Sequence, residues 1–227
     1  CDDLHTDLHE CLGHGSGQLL PGVSPDALKS YGSTIEEARA DLFGLYYIAD
    51  KKLIELQLLP DAEAYKSQYY SYIMNGLLTQ IVRIAPGNKI EEAHMRNRAL
   101  IAHWCLDNGN AISLVRRDGK TYVQVNDYEE LRHQFATLLA EIQRIKSEGD
   151  YEAARKMVET YGVNINPDLH TEILERYKRL NIAPYKGFLN PRMIPVFNAQ
   201  GDITDITLDY SESYDEQLNR YSRQYCT

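Results

Sequence analysis

Cysteine is scarce in this 227-residue chain, and the four present (Cys1, Cys11, Cys105, Cys226) show neither a C-x-x-C pair nor a framework spacing. That excludes a disulfide scaffold and a thiolate metal site. Phenylalanine (four) and tryptophan (one) are also few, against seventeen tyrosines, which read as half-buried helix positions with a wet hydroxyl. Positive charge is in deficit: 24 Lys and Arg stand against 33 Asp and Glu, for a net charge of -9, and no dense basic run occurs. A nucleic-acid partner or an anionic membrane surface is therefore not expected. No apolar run approaches the roughly 18 residues of a membrane span, and no basic-then-apolar leader opens the chain. Internal repeats and low-complexity tracts are absent too.

What is present is concentrated near the start, in His9-Glu10-Cys11-Leu12-Gly13-His14. Neutral imidazole is the commonest zinc ligand, and in the H-E-x-x-H pattern two His at i and i+4 share one helix face while the Glu is free to act as base. Here the step is five residues. At about 100° per residue, an ideal helix leaves His14 roughly 140° from His9, against about 40° for a four-residue step. Convergence of the two rings therefore requires a π-bulge or local unwinding, an irregularity that occurs mostly at functional sites. Gly13 is the residue type that would permit it, and Gly15 and Gly17 weaken the helix just beyond. Cys11 lies inside this motif; a buried structural residue is the preferred reading over a reactive thiol.

A third ligand is expected from Ser33-Thr34-Ile35-Glu36-Glu37-Ala38-Arg39-Ala40-Asp41. Ser33 with Glu36, or Thr34 with Glu37, reads as a capping box opening a second helix. Glu37 and Asp41 then share a face at i and i+4. Glu37 is placed to ligate a metal while Asp41 accepts a hydrogen bond from a ligating imidazole and so fixes its tautomer. Two His, one Glu and one open position describe a catalytic zinc site rather than a closed structural one.

These two stretches resemble the paired HExxGH and EExRA(E/D) signatures of the dipeptidyl peptidase III family of zinc metallopeptidases. The resemblance implies one zinc ion held by His9, His14 and Glu37, with Glu10 as the base that activates water and Glu36 and Asp41 orienting the two His. Glu92-Ala93-His94-Met95-Arg96-Asn97-Arg98 resembles a further family stretch whose His helps stabilise the tetrahedral intermediate. That implies an oxyanion role for His94, with Arg98 one turn away on the same face. His103 has no such support and reads as an ordinary helix residue. Arg192 lies where the family has a basic residue facing the C-terminal side of the bound peptide; Lys186 is given no role.

The pattern predicts a mostly α chain: a helical domain with one or two small β-hairpins. Helices are expected over about 35–52, from Pro60-Asp61 to Pro86-Gly87, and over about 90–106, 128–146, 151–161, 169–180 and 213–225. Asp118-Gly119 marks a hairpin between two β-rich runs, and strand-like runs at 193–197 and 203–208 suggest a second. Residues 1–109 are expected to form the helical metal-site core, and 110–227 the hairpin, further helices and a strand-helix tail. The start at Cys1, eight residues before the motif, suggests that the chain opens inside a helix of a longer parent. Family members are larger and two-lobed, so the resemblance implies the zinc-bearing lobe alone, acting on an oligopeptide substrate together with an N-terminal lobe of the same parent chain. A cytoplasmic location is favoured, with a periplasmic one as the alternative.

Overall fold

The computed structural model describes residues 1–182 and 187–226. Pro184, Tyr185 and Lys186, which open the tail, lie outside the described residues. The chain divides into two compact units, Cys1–Leu180 and Asn181–Thr227.

In the first unit, α1 (Asp2–Leu8) runs directly into a π-helical turn, His9–His14. After a turn-rich connection come α2 (Gly32–Tyr47), α3 (Lys51–Glu55) and α4 (Tyr65–Met74), the last extended by a second π turn at Asn75–Thr79. Then follow α5 (Ala93–Asp107), the antiparallel hairpin β1 (Ile112–Arg117) and β2 (Lys120–Val125), α6 (Tyr128–Glu148), α7 (Tyr151–Tyr161) and α8 (Pro167–Leu180). The described residues are thus mostly helical, with small two-stranded sheets.

The central element is α2, packed among the first π turn, α5 and α6. Ile35, Ala38, Leu42 and Leu45 on it are wholly excluded from solvent. They meet Leu131, Phe135, Leu138 and Ile142 of α6 and Leu100, Ile101 and Cys105 of α5 in one continuous core. A helix enclosed on several sides is held by packing rather than by propensity. Ile112 and Val123 join this core from the hairpin, which otherwise lies at its edge.

Several boundaries differ from those expected. The second helix starts at Gly32 with no side-chain cap, so neither Ser33-Glu36 nor Thr34-Glu37 forms a capping box. The Glu36 carboxylate is instead engaged by Arg39, His14 and Lys146. That helix also stops at Tyr47, because extended Asp50 caps a separate α3 by accepting from the Lys52 amide at 2.8 Å. The third helix begins at Tyr65 rather than at Pro60. Cys11 is exposed, not buried. Tyr65, Tyr69 and Tyr72 are more deeply buried than half, and the Tyr69 hydroxyl makes no hydrogen bond.

The second unit holds the antiparallel hairpin of β3 (Arg192–Phe197) and β4 (Ile203–Asp209) and the helix α9 (Tyr214–Tyr225). A capping box between Ser213 and Glu216 opens α9. Gln217 ties that helix to the chain before β3, donating to the Phe188 carbonyl and accepting from the Asn190 amide.

Candidate metal centre

The π turn brings His9 and His14 to one side of the chain despite their five-residue spacing. Their rings meet edge to face, with centroids 4.6 Å apart. Gly13 serves this turn differently from the way its flexibility suggests. Its backbone is not in the left-handed region; rather, a Cβ there would lie 2.6 Å from the Cα of Ala40. The glycine lets the π turn rest against α2, which carries the remaining residues of the site.

Each imidazole is held through Nδ1. His9 donates from Nδ1 to Oδ1 of Asp41 at 2.7 Å, and His14 donates from Nδ1 to Oε1 of Glu36 at 2.8 Å. Ionised carboxylates only accept, so the protons sit on Nδ1 and both Nε2 lone pairs are free. These converge on Glu37: His9 Nε2 lies 3.4 Å and His14 Nε2 3.8 Å from its Oε2. The three potential ligand atoms all fall within 4.8 Å of one another. Tetrahedral ligands at about 2.0–2.1 Å from a zinc ion stand roughly 3.3 Å apart, so modest side-chain movement suffices to enclose a cation. Oε2 of Glu37 is buried and receives no hydrogen bond. A buried carboxylate oxygen left bare is costly, and two imidazole lone pairs beside it add to the repulsion. A cation removes both penalties, so the residues present fit a metal ion.

The surrounding charges are consistent with this arrangement. The hydrogen bond to Asp41 raises the pKa of His9 above its usual value. Burial alone would raise that of Asp41, but hydrogen bonds from His9 and Tyr72 and the nearby His5 hold it below the normal carboxylate range. Glu36 is likewise opposed by burial, yet Arg39, Lys146 and His14 bring it down to about 2. Both orienting carboxylates thus stay ionised.

Glu10 is exposed, at a cleft of about 420 Å³ that is also lined by His9, Asp41, Tyr72, His94 and Arg98. His94 stands at the start of α5, where Glu92 accepts from the His94 and Met95 amides at 2.9 Å each and fixes the helix origin. Its Nδ1 reaches 3.2 Å from Oε2 of Glu37, but it is not among the three atoms that converge as ligands. Arg98 makes no hydrogen bond or ion pair among the described residues. His103 donates from Nδ1 to the Ala99 carbonyl of its own helix at 2.9 Å, as an ordinary helix residue would. Arg192 belongs to the second unit, half exposed at the start of β3 and 4.0 Å from Asp209.

Sequence reasoning gave no role to Arg39, Lys146, Tyr72, His5 or Gln68, which form the polar surround of the centre. Only Arg39 sat inside a recognised stretch; His5 lies four residues before His9 but meets Asp41 from 36 residues away, and the others are distant in sequence and of common type.

The chain resembles Dipeptidyl peptidase 3 from Mus musculus (25% identity) and from Homo sapiens (24%), each over 70% of this chain. It spans about a quarter, 27%, of the length of those relatives. Among solved structures it is similar to DPP III from Caldithrix abyssi, with 27% identity, a TM-score of 0.58, and coverage of 77% of this chain and 32% of that one. It also shares its fold with dipeptidyl-peptidase III from Corallococcus sp. strain EGB, at 24% identity and the same TM-score. The model of peptidase family M49 matches residues 25–176, which take in Glu36 to Asp41 and His94 to Arg98 but not His9 to His14. With about two thirds of its length matched in this way, the chain belongs to peptidase family M49.

Proposed function

We propose that this chain is the zinc-bearing lobe of a peptidase that releases dipeptides from the N-terminus of oligopeptides. The observation that carries the reading is the bare, buried Oε2 of Glu37 faced by the free Nε2 atoms of His9 and His14. A donor set of two imidazoles and one carboxylate, with one position left open, suits catalytic zinc. Zinc, when bound, supplies Lewis acidity that polarises a scissile carbonyl and lowers the pKa of a water toward about 7. Glu10, at the cleft, would serve as the base that takes a proton from water and later passes it to the leaving amine. His94 and Arg98 face the same cleft and stabilise negative charge developing on the carbonyl oxygen. Asp41 and Glu36 keep both imidazoles in the tautomer that leaves Nε2 available.

The coverage of relatives favours a second reading for the isolated chain. It holds zinc but turns over no peptide, because it spans only about a quarter of the length of its relatives. Zinc content after EDTA dialysis and zinc readdition, together with hydrolysis of a chromogenic dipeptide amide by this chain and by its full-length parent, separates the two. Glu10→Gln is expected to keep stoichiometric zinc and abolish hydrolysis in the parent. Full activity in that variant removes Glu10 as the base, and a wild-type chain that takes up no zinc refutes the metal reading.

A further inference from the structure

Behind His9 lies a buried polar cluster that the reaction itself does not use. Asp41 places Oδ1 on His9, and its other oxygen, Oδ2, accepts from the Tyr72 hydroxyl at 2.7 Å. Tyr72 comes from α4 and is 5% exposed, on the inner wall of the cleft. The Tyr72 oxygen also lies 3.4 Å from Oδ1 of Asn97, a wholly buried residue of α5 whose Nδ2 makes no hydrogen bond. A phenol has one proton, and Asp41, which only accepts, claims it. Oδ1 of Asn97 would then confront a lone pair while its own amide protons go unused. Turning that amide by half a revolution cures both faults without changing its shape: Nδ2 donates to Tyr72, and Tyr72 donates to Asp41.

We propose that Tyr72, backed by Asn97, is a positioning residue that sets the rotation of the Asp41 carboxylate, and through it the ring of His9. The inference rests on reading His9, His14 and Glu37 as a metal site. A carboxylate anchored at one oxygen only is free to swivel about its last torsion; Tyr72 removes that freedom. His5 closes the remaining side. Its Nδ1 accepts from Nε2 of Gln68 at 2.9 Å, which directs the Nε2 proton toward the Asp41 carbonyl at 3.3 Å. Gly44 is part of this packing, since a Cβ there would lie 2.2 Å from the His5 ring. The relay Asn97 to Tyr72 to Asp41 to His9 also joins α5, the helix bearing His94 and Arg98, to the π turn. Groups hydrogen-bonded directly to a metal-binding His change metal affinity by about 10–100-fold, and Tyr72, acting through Asp41, is placed at the lower end of that range.

The test is zinc affinity by competition with a chromogenic chelator, together with the thermal midpoint of the metal-free protein in EDTA. Tyr72→Phe is expected to weaken zinc binding about tenfold, and Asn97→Ala to weaken it by a smaller factor in the same direction. In an Asp41→Ala background, Tyr72→Phe is expected to add nothing further. Should Tyr72→Phe not fold, Asn97→Ala carries the same comparison. Zinc affinity unchanged in the variant that folds, with only the EDTA midpoint lowered, makes Tyr72 a core residue and overturns the proposal. A full Tyr72→Phe effect surviving in the Asp41→Ala background overturns it as well. Absence of zinc binding in the wild type defeats the metal reading and this inference together, whereas binding in the wild type equalled by Tyr72→Phe defeats this inference alone.

Discussion

Nη2 of Arg39 donates to the carbonyl of Gly13 at 2.6 Å, joining the helix that supplies Glu37 to the turn that supplies both His. That carbonyl lies at the C-terminal end of the first helical segment, where partial negative charge accumulates and a cation is favoured. The same guanidinium grips both oxygens of Glu36, from Nε at 3.0 Å and Nη2 at 2.8 Å, and Glu36 in turn orients His14. Arg39 is 0% exposed. A charge so enclosed is tolerable only because its donors are engaged, which makes the residue a structural hinge-pin of the centre.

Replacing Arg39 by Met is accordingly expected to destabilise the metal-free chain by about 3 kcal/mol or more, the usual result of removing one member of a buried ion pair. Arg39→Lys keeps the charge but loses the planar fork that spans Glu36 and Gly13 together, and an intermediate loss is expected. Urea-unfolding midpoints of the two variants in EDTA check this. A loss below about 1 kcal/mol for the Met variant contradicts a central role for the buried cation.

Gly13 and Gly32 provide a contrast in which one added methyl group acts in opposite directions. At Gly13 the new carbon would sit 2.6 Å from backbone of Ala40, so the π turn or α2 must shift to admit it. Gly13→Ala is expected to cost about 2–3 kcal/mol by overpacking and to reduce zinc uptake. At Gly32 the nearest atom, Cβ of Leu28, is 3.7 Å away, an ordinary contact. Gly32→Ala is expected to be neutral or to stabilise by about 0.5 kcal/mol through the lower chain entropy of the unfolded state. Thermal unfolding of both variants in parallel decides the matter.

Much of this centre was legible because its chemistry is local. The five-residue gap between His9 and His14 called for a π-bulge or local unwinding, and a π turn is present; the four-residue gap between Glu37 and Asp41 required only an ordinary helix. The hairpin at Asp118-Gly119 followed from turn chemistry and lies where expected. The misreadings arose where tertiary partners outbid local ones. Glu36 resembled half of a capping box, but Arg39, Lys146 and His14 compete for it. Gly13 was read as a source of flexibility, although its service is to let two backbones approach. Tyr72 and Lys146 gave no signal, being 31 and 110 residues from the carboxylates they bind.

Glu172 provides a pH test remote from the metal residues. Burial would raise its pKa, but the Thr121 amide at 2.6 Å, the Thr121 hydroxyl at 2.8 Å and Arg176 at 3.2 Å together hold it below its usual 4.5. With the folded-state pKa depressed, its stabilisation is complete above pH 4.5 and is lost as the pH falls through the lower folded value. Glu172→Gln is expected to cost about 1 kcal/mol at pH 7, modest because the carboxylate is partly wet. The gap between wild type and variant should close in acid. Unfolding curves at pH 7, 5 and 3 read this directly, and a gap that widens on acidification contradicts the assignment.

Zinc itself should act as a stabilising ligand of the folded chain, since the unfolded chain does not hold His9, His14 and Glu37 together. Free zinc at a hundredfold excess over its dissociation constant adds about 2.7 kcal/mol. For a domain of this size that corresponds to a rise of roughly 5–10 °C in the thermal midpoint, reversed by EDTA. In Glu37→Gln the rise is expected to be largely lost, because the amide removes the anionic ligand. The metal-free midpoint of that variant should equal or exceed that of wild type, since Oε2 of Glu37 is the bare buried oxygen that the cation otherwise satisfies. A Glu37→Gln protein with a lower EDTA midpoint and an undiminished zinc response would place the cation elsewhere.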